Sequence, residues 1–244
     1  MPNSWLSALD YYAYPVDLND FTGRDRFPNY FHLKVLGDRK STIQFEEYFR
    51  ENAEKNIAVF IEVIYWKLYS QSRIRNKTTN RIADHFINYE IDPHYLYSQV
   101  LEFSKTPSKH NLVQLRTSLG FKTDVIAIAL TFPAFINPVN IPMVDNQVAR
   151  WVNDNYERHN IGKKNKLTTF NMNYTSLRDN DFANYLNWVC WCKEMSYLLT
   201  KKTDVLGLFS IPTHCSRCSK LKVVDSVRPV KEGLSRTQSN MYCS

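Results

Sequence analysis

Two side chains of this sequence combine a chemical type and a placement that catalysis or anion recognition could use. Asp145 stands in Ile141-Pro142-Met143-Val144-Asp145-Asn146-Gln147-Val148-Ala149-Arg150, between an apolar extended approach and a helical pattern. That is how a catalytic aspartate is presented to a ligand. Lys122 lies 23 residues earlier, in Leu119-Gly120-Phe121-Lys122-Thr123, at the opening of another helical run. A fixed carboxylate stabilises positive charge that develops on a substrate. A lysine amine kept partly neutral by desolvation or nearby cations can attack an electrophilic carbon and form a Schiff base. Each residue also has a plainer reading: aspartate is a common helix N-cap, and a lysine on a turn can simply contact phosphate.

The elements that must position these groups read as helices. Ser41-Thr42-Ile43-Gln44 fits a capping box and predicts a helix to about Glu54. Ile57 to Ser70 is apolar on nearly all sides, as expected of a central helix packed by its neighbours. Shorter helices are expected over Thr78 to Phe86, Pro93 to Phe103 and Asn111 to Leu119. Val125 to Leu130, though rich in β-branched residues, reads as a buried helix because its neighbours are helical. From Phe182 to Thr200 a long amphipathic helix puts Trp188, Cys192, Met195 and Leu199 on one face. Residues 1–40, with Pro15, Pro28 and Gly37 and no sustained period, read as an extended segment packed on a core at 41–205. Residues 206–244 read as a disordered basic tail.

At 244 residues and 43% apolar composition the chain can bury a real core. A net charge of +7 favours a polyanionic partner. The longest apolar run, Ile57 to Tyr69, is interrupted by Glu62 and Lys67 and falls well short of the ~20 residues that cross a bilayer. No secretory leader pattern opens the sequence, so a cytoplasmic protein without membrane association is expected, with its cysteines as reduced thiols; the oligomeric state is undetermined from the sequence, with a monomer favoured.

Gly120-Phe121-Lys122-Thr123 and Val144-Asp145 together resemble the helix-hairpin-helix DNA glycosylases, in their endonuclease III-like branch. There a hairpin of the form L-P-G-V-G-R-K-T precedes a buried helix and then V-D-T-H-V. Here Gly120 and Lys122 match the hairpin's second glycine and its lysine, and Val144-Asp145 matches the catalytic pair. Ser118 stands in the place of the first glycine, while Asn146 and Gln147 replace threonine and histidine. A serine adopts positive φ only with strain, so a distorted hairpin is expected.

The resemblance implies an all-α, helix-hairpin-helix glycosylase-like bundle that excises a damaged base from double-stranded DNA and needs no cofactor. It implies Asp145 as the residue stabilising the cationic sugar and Lys122 as the lyase nucleophile. Gly120, Phe121 and Thr123 would meet a DNA phosphate through backbone amides. Ser70-Gln71 resembles a pair whose glutamine fills the gap left by a flipped base, and Arg73, with Arg75, Lys77 and Arg81, could follow the backbone, although a solvated helix face explains such a run too.

His214-Cys215-Ser216-Arg217-Cys218 has the spacing of a metal half-site, and Cys190-Trp191-Cys192 could supply the other half. Residues two apart on a helix point away from each other, so no metal is expected. No P-loop, dinucleotide fingerprint, HExxH or GxSxG motif occurs. Two alternatives stay open: a helix-hairpin-helix relative that binds DNA without cutting it, and a helical protein-interaction module. Steep salt dependence of DNA binding separates the first from the second.

Overall fold

The computed structural model describes residues 15–30, 34–35, 39–121, 126–138, 140–170 and 179–206. These are predominantly helical, as expected, and form two compact units, Met1–Ile136 and Asn137–Ser244. The boundary falls beside Pro138, inside the segment that reads in sequence as one domain. The expected tail, with Cys215 and Cys218, lies outside the described residues except for Leu206.

In the first unit a short antiparallel pair, β1 (Val16–Asp17) and β2 (Lys34–Val35), sets Val16 opposite Val35. Helices α1 (Arg39–Asn52), α2 (Ala58–Leu68), α3 (Arg75–Asn88), α4 (Pro93–Lys105), α5 (Lys109–Ser118), α6 (Ile126–Ala129) and α7 (Thr131–Ile136) follow. Helix α2 is buried on every side except at Lys67, because its composition offers no polar face to water. Local chemistry starts the next helices. Asp92 accepts the amides of His94 and Tyr95 ahead of Pro93, and the Ser108 hydroxyl accepts the amide of Asn111. Both satisfy donors that a helix start leaves without partners.

Ser41 departs from the expected capping box. Helix α1 begins at Arg39, so Ser41 lies inside its first turn and is buried. Helix α3 begins at Arg75 rather than Thr78. Ile126–Ala129 is helical, with Ile126, Ile128 and Ala129 buried and Val125 outside the described residues.

Aromatic side chains join α1, α2, α4 and α7. The Phe49 ring lies 5.4 Å from that of Phe60, 5.8 Å from Phe132 and 5.8 Å from Phe135, and Trp66 meets Phe135 at 5.5 Å. Edge and tilted pairs of this kind contribute about 0.5–1.5 kcal/mol each beyond the area they bury. Within this core Glu62 accepts a hydrogen bond from Tyr48, and burial, with that carboxylate, pushes the Tyr48 phenol well above its usual range.

The second unit holds α8 (Asn146–Asn160) and α9 (Asp179–Leu206). Asn153 and Asn160, two turns apart on α8, each bracket one residue of an extended segment. Asn153 donates to the Phe170 carbonyl and accepts its amide, and Asn160 does the same for Leu167. The segment therefore satisfies its backbone on side chains instead of a sheet. Along α9 the buried positions among the described side chains are Asp181, Phe182, Tyr185, Val189, Trp191 and Ser196, while Trp188, Cys192 and Met195 are half-buried. The core side is thus turned from the expected stripe, of which the Leu199 side chain lies outside the described residues. Cys192 is a free thiol.

Candidate functional site

In the first unit, the chain leaves α5 through Leu119, Gly120 and Phe121. The Gly120 amide donates to the Thr117 carbonyl at 2.9 Å and the Phe121 amide to the Arg116 carbonyl at 3.1 Å. This pair of bonds is a Schellman closure, which needs a left-handed residue after the helix. Gly120 supplies it, with φ +74°. Ser118 is the last residue of α5 and carries no positive φ, so the strain expected at that serine does not arise. Because both amides are used inside the turn, neither Gly120 nor Phe121 has a backbone donor left to offer a phosphate in this conformation.

Side chains of α3 hold the same turn. Arg81 Nη1 donates to the Gly120 carbonyl at 2.9 Å, and its guanidinium carbon lies 5.9 Å from the centre of the Phe121 ring. His85 Nε2 lies 3.3 Å from the Ser118 carbonyl, which can only accept, so that nitrogen carries the proton. A Cβ on Gly120 would stand 2.5 Å from the His85 ring. Glycine is required here for two reasons, its φ and this close approach. The Phe121 side chain is buried. Lys122 and Thr123, which follow it, lie outside the described residues.

Gln71 and Arg73 lie in the exposed turn between α2 and α3. The Gln71 carbonyl accepts the amides of Ile74 and Arg75 at 3.0 and 2.9 Å, so its backbone starts α3 while its side chain faces solvent. Arg75 belongs to the fold: its guanidinium lies 4.3 Å above the Tyr69 ring and donates to the Tyr69 carbonyl at 3.0 Å.

In the second unit, Asp145 is half-buried at the start of α8. The residues that deliver it, Ile141, Met143 and Val144, are buried, which anchors the approach by apolar packing. Its Oδ1 accepts the Val148 amide at 2.9 Å and its carbonyl accepts the Ala149 amide at 2.9 Å, the pattern of an N-cap. Beyond it, α8 and α9 share an aromatic cluster. The Trp188 and Trp191 rings stack at 5.5 Å, Trp151 lies 5.8 Å from Trp191, and His159 lies 5.0 Å from Trp151. Burial first, then Arg158 and Lys163, lower the His159 pKa below its ordinary value.

The sequence reading missed His85 and gave Arg81 only as one member of a basic run. No local pattern could link them to Gly120, because the contacts close over separations of 39 and 33 residues. Among the described residues no group of three or more His, Cys, Asp or Glu side chains could hold a metal ion, and no helix is long and apolar enough to cross a membrane. Compared with models of known protein families, with curated proteins and with solved structures, the chain matches none.

Proposed function

We propose that this chain removes a damaged base from double-stranded DNA. The flipped nucleotide loses its base as the C1′–N bond breaks with its electron pair leaving on the base, and the sugar becomes cationic. Asp145 stabilises that charge. Water then adds to C1′, or the Lys122 amine does, losing a proton and opening the sugar to a Schiff base from which the 3′ phosphate is eliminated. No cofactor takes part.

The observation that carries this reading is the fixed setting of Asp145. A carboxylate delivered by three buried residues and held at a helix start keeps one orientation, which is what electrostatic stabilisation of a transition state requires. A second reading, a DNA-binding protein without catalysis, is favoured by the same hydrogen bond, since capping alone accounts for an aspartate at this position.

The test is borohydride trapping on duplexes that carry an abasic site, 8-oxoguanine, uracil or an oxidised pyrimidine. A covalent adduct that disappears in Lys122→Ala establishes the amine. Alkali-labile sites without an adduct leave a glycosylase that uses water, and in either case Asp145→Asn should bind DNA yet release no base. If none of these duplexes gives a product, the catalytic reading fails.

A further inference from the structure

The basic residues after α2 do not share one environment. Arg75 is held over Tyr69. Lys77 and Arg81, by contrast, are exposed and stand one turn apart on α3, away from its buried stripe of Thr79, Ile82, Ala83 and Phe86. Exposed Arg73 precedes Lys77 by a further four residues. Successive residues of a helix rise 1.5 Å, so Lys77 and Arg81 stand about 6 Å apart along α3, and Arg73 lies in the turn just before its first residue. Asp84, the carboxylate one turn beyond Arg81, is already paired with Arg26, whose other groups bond Asn80 and the Gly23 carbonyl. Among the described residues Arg73, Lys77 and Arg81 make no ion pair.

Arg81 differs from an ordinary surface arginine. Its bond to the Gly120 carbonyl and the Phe121 ring beside it fix the guanidinium, while one carbonyl engages only part of a fork of five N–H donors. A planar, pre-oriented fork matches a phosphate well. The amides of Gly120 and Phe121 are engaged within their turn, so a phosphate near this turn meets the arginine side chain rather than those amides.

We propose that the outer face of α3, formed by Lys77 and Arg81 and continued by Arg73 in the turn before it, is the surface that binds the phosphodiester backbone of duplex DNA. The proposal rests on the reading of the chain as a DNA-binding protein and deepens it, without requiring catalysis. Side chains of this kind set register and orientation on a duplex and read no sequence. Bound cations displace condensed counterions, so affinity through this face falls with salt in proportion to the phosphates it engages.

The experiment is a fluorescence-anisotropy titration of the full chain on a labelled, lesion-free duplex at several salt concentrations. The triple variant R73Q/K77Q/R81Q should bind more weakly, and its log–log salt slope should flatten by about 0.9 per contact removed, about 2.7 in all. R73Q/K77Q, which leaves the Gly120 bond in place, should give about two thirds of that change. R81K, which keeps the charge but loses the pre-oriented fork, should keep the wild-type slope. A triple variant with wild-type affinity and slope overturns the proposal, and so does a wild-type chain that binds no duplex. Face-dependent binding with no base released from any lesion would retain this surface and remove the glycosylase reading. Base release by a triple variant that binds like wild type would do the reverse.

Discussion

Asp145 Oδ1 accepts the Val148 amide at 2.9 Å, which fixes the carboxylate to the start of its own helix. The bond serves two purposes that are easily confused. It satisfies a donor that the first turn of α8 would otherwise leave without a partner, and it holds the oxygen atoms where the positive end of a helix favours an anion. A substitution that abolishes activity here therefore proves nothing about chemistry unless the cap is preserved.

Asparagine makes that separation, since it caps about as well as aspartate but carries no charge. Asp145→Asn should melt within a degree or two of wild type, whereas Asp145→Ala should lose about 1 kcal/mol, typical of a removed cap. Thermal or urea unfolding of the two variants checks this. Equal losses in both would mean that the charge, not the cap, stabilises α8.

Gly120→Ala should be among the more damaging small substitutions in the first unit. Holding a non-glycine residue in the left-handed region costs about 1–3 kcal/mol, and the new Cβ would press on the His85 ring at 2.5 Å as well. The ring atoms nearest are Cδ2 and Cγ, with His85 Cβ at 3.1 Å, so the side chain cannot simply swing its far end away. The double variant Gly120→Ala/His85→Ala should be less destabilised than the sum of its parts, because removing the ring relieves the two closest contacts and leaves the backbone strain and the 3.1 Å approach of the two Cβ atoms. Strict additivity in urea unfolding would show that His85 is not the obstacle.

These two positions also show how far the sequence is legible. Asp145 ahead of a helical pattern, the helix opening at Pro93 and the all-apolar stretch of α2 are local signals, and the structure follows each of them. Ser41 misled because a hydroxyl followed by glutamine matches a cap wherever it falls, while the helix had already begun at Arg39. On α9 the buried side includes Ser196 and Tyr185, which an apolar pattern undercounts, so the expected stripe through Trp188 and Cys192 was rotated from the true one. The hold of Arg81 and His85 on the α5 turn is tertiary and has no trace in local spacing.

Glu194 links stability to acid. Burial raises its pKa, but the amide of Asn165, then that of Lys164 and the Asn165 side chain, outweigh burial and hold the carboxyl below its usual 4.5. A depressed carboxyl pKa contributes stability that is present above the unfolded value and lost as pH falls through the folded one. The stability difference between wild type and Glu194→Gln should accordingly be constant near neutrality and shrink only below about pH 4.5. Unfolding curves from pH 7 to 3 check this, and a difference that survives at the acid end would assign the effect to hydrogen bonding alone.

His159 titrates in the opposite chemical sense but within the same linkage. Burial, Arg158 and Lys163 all disfavour its imidazolium, so its folded pKa lies below the ordinary 6.5. The unfolded chain then takes up the proton first, and the stability that neutral His159 contributes is complete above pH 6.5 and declines as pH falls from there through the folded pKa. The ring lies 5.0 Å from Trp151 and 5.9 Å from Trp191, close enough for a new positive charge to perturb indole emission. Tryptophan fluorescence should therefore show a transition with its midpoint below pH 6.5, absent in His159→Gln. A midpoint above 6.5 would mean that the aromatic cluster stabilises the imidazolium through its ring faces more than burial penalises it, and the contribution of His159 would then be present at acid pH and lost as pH rises through the folded pKa.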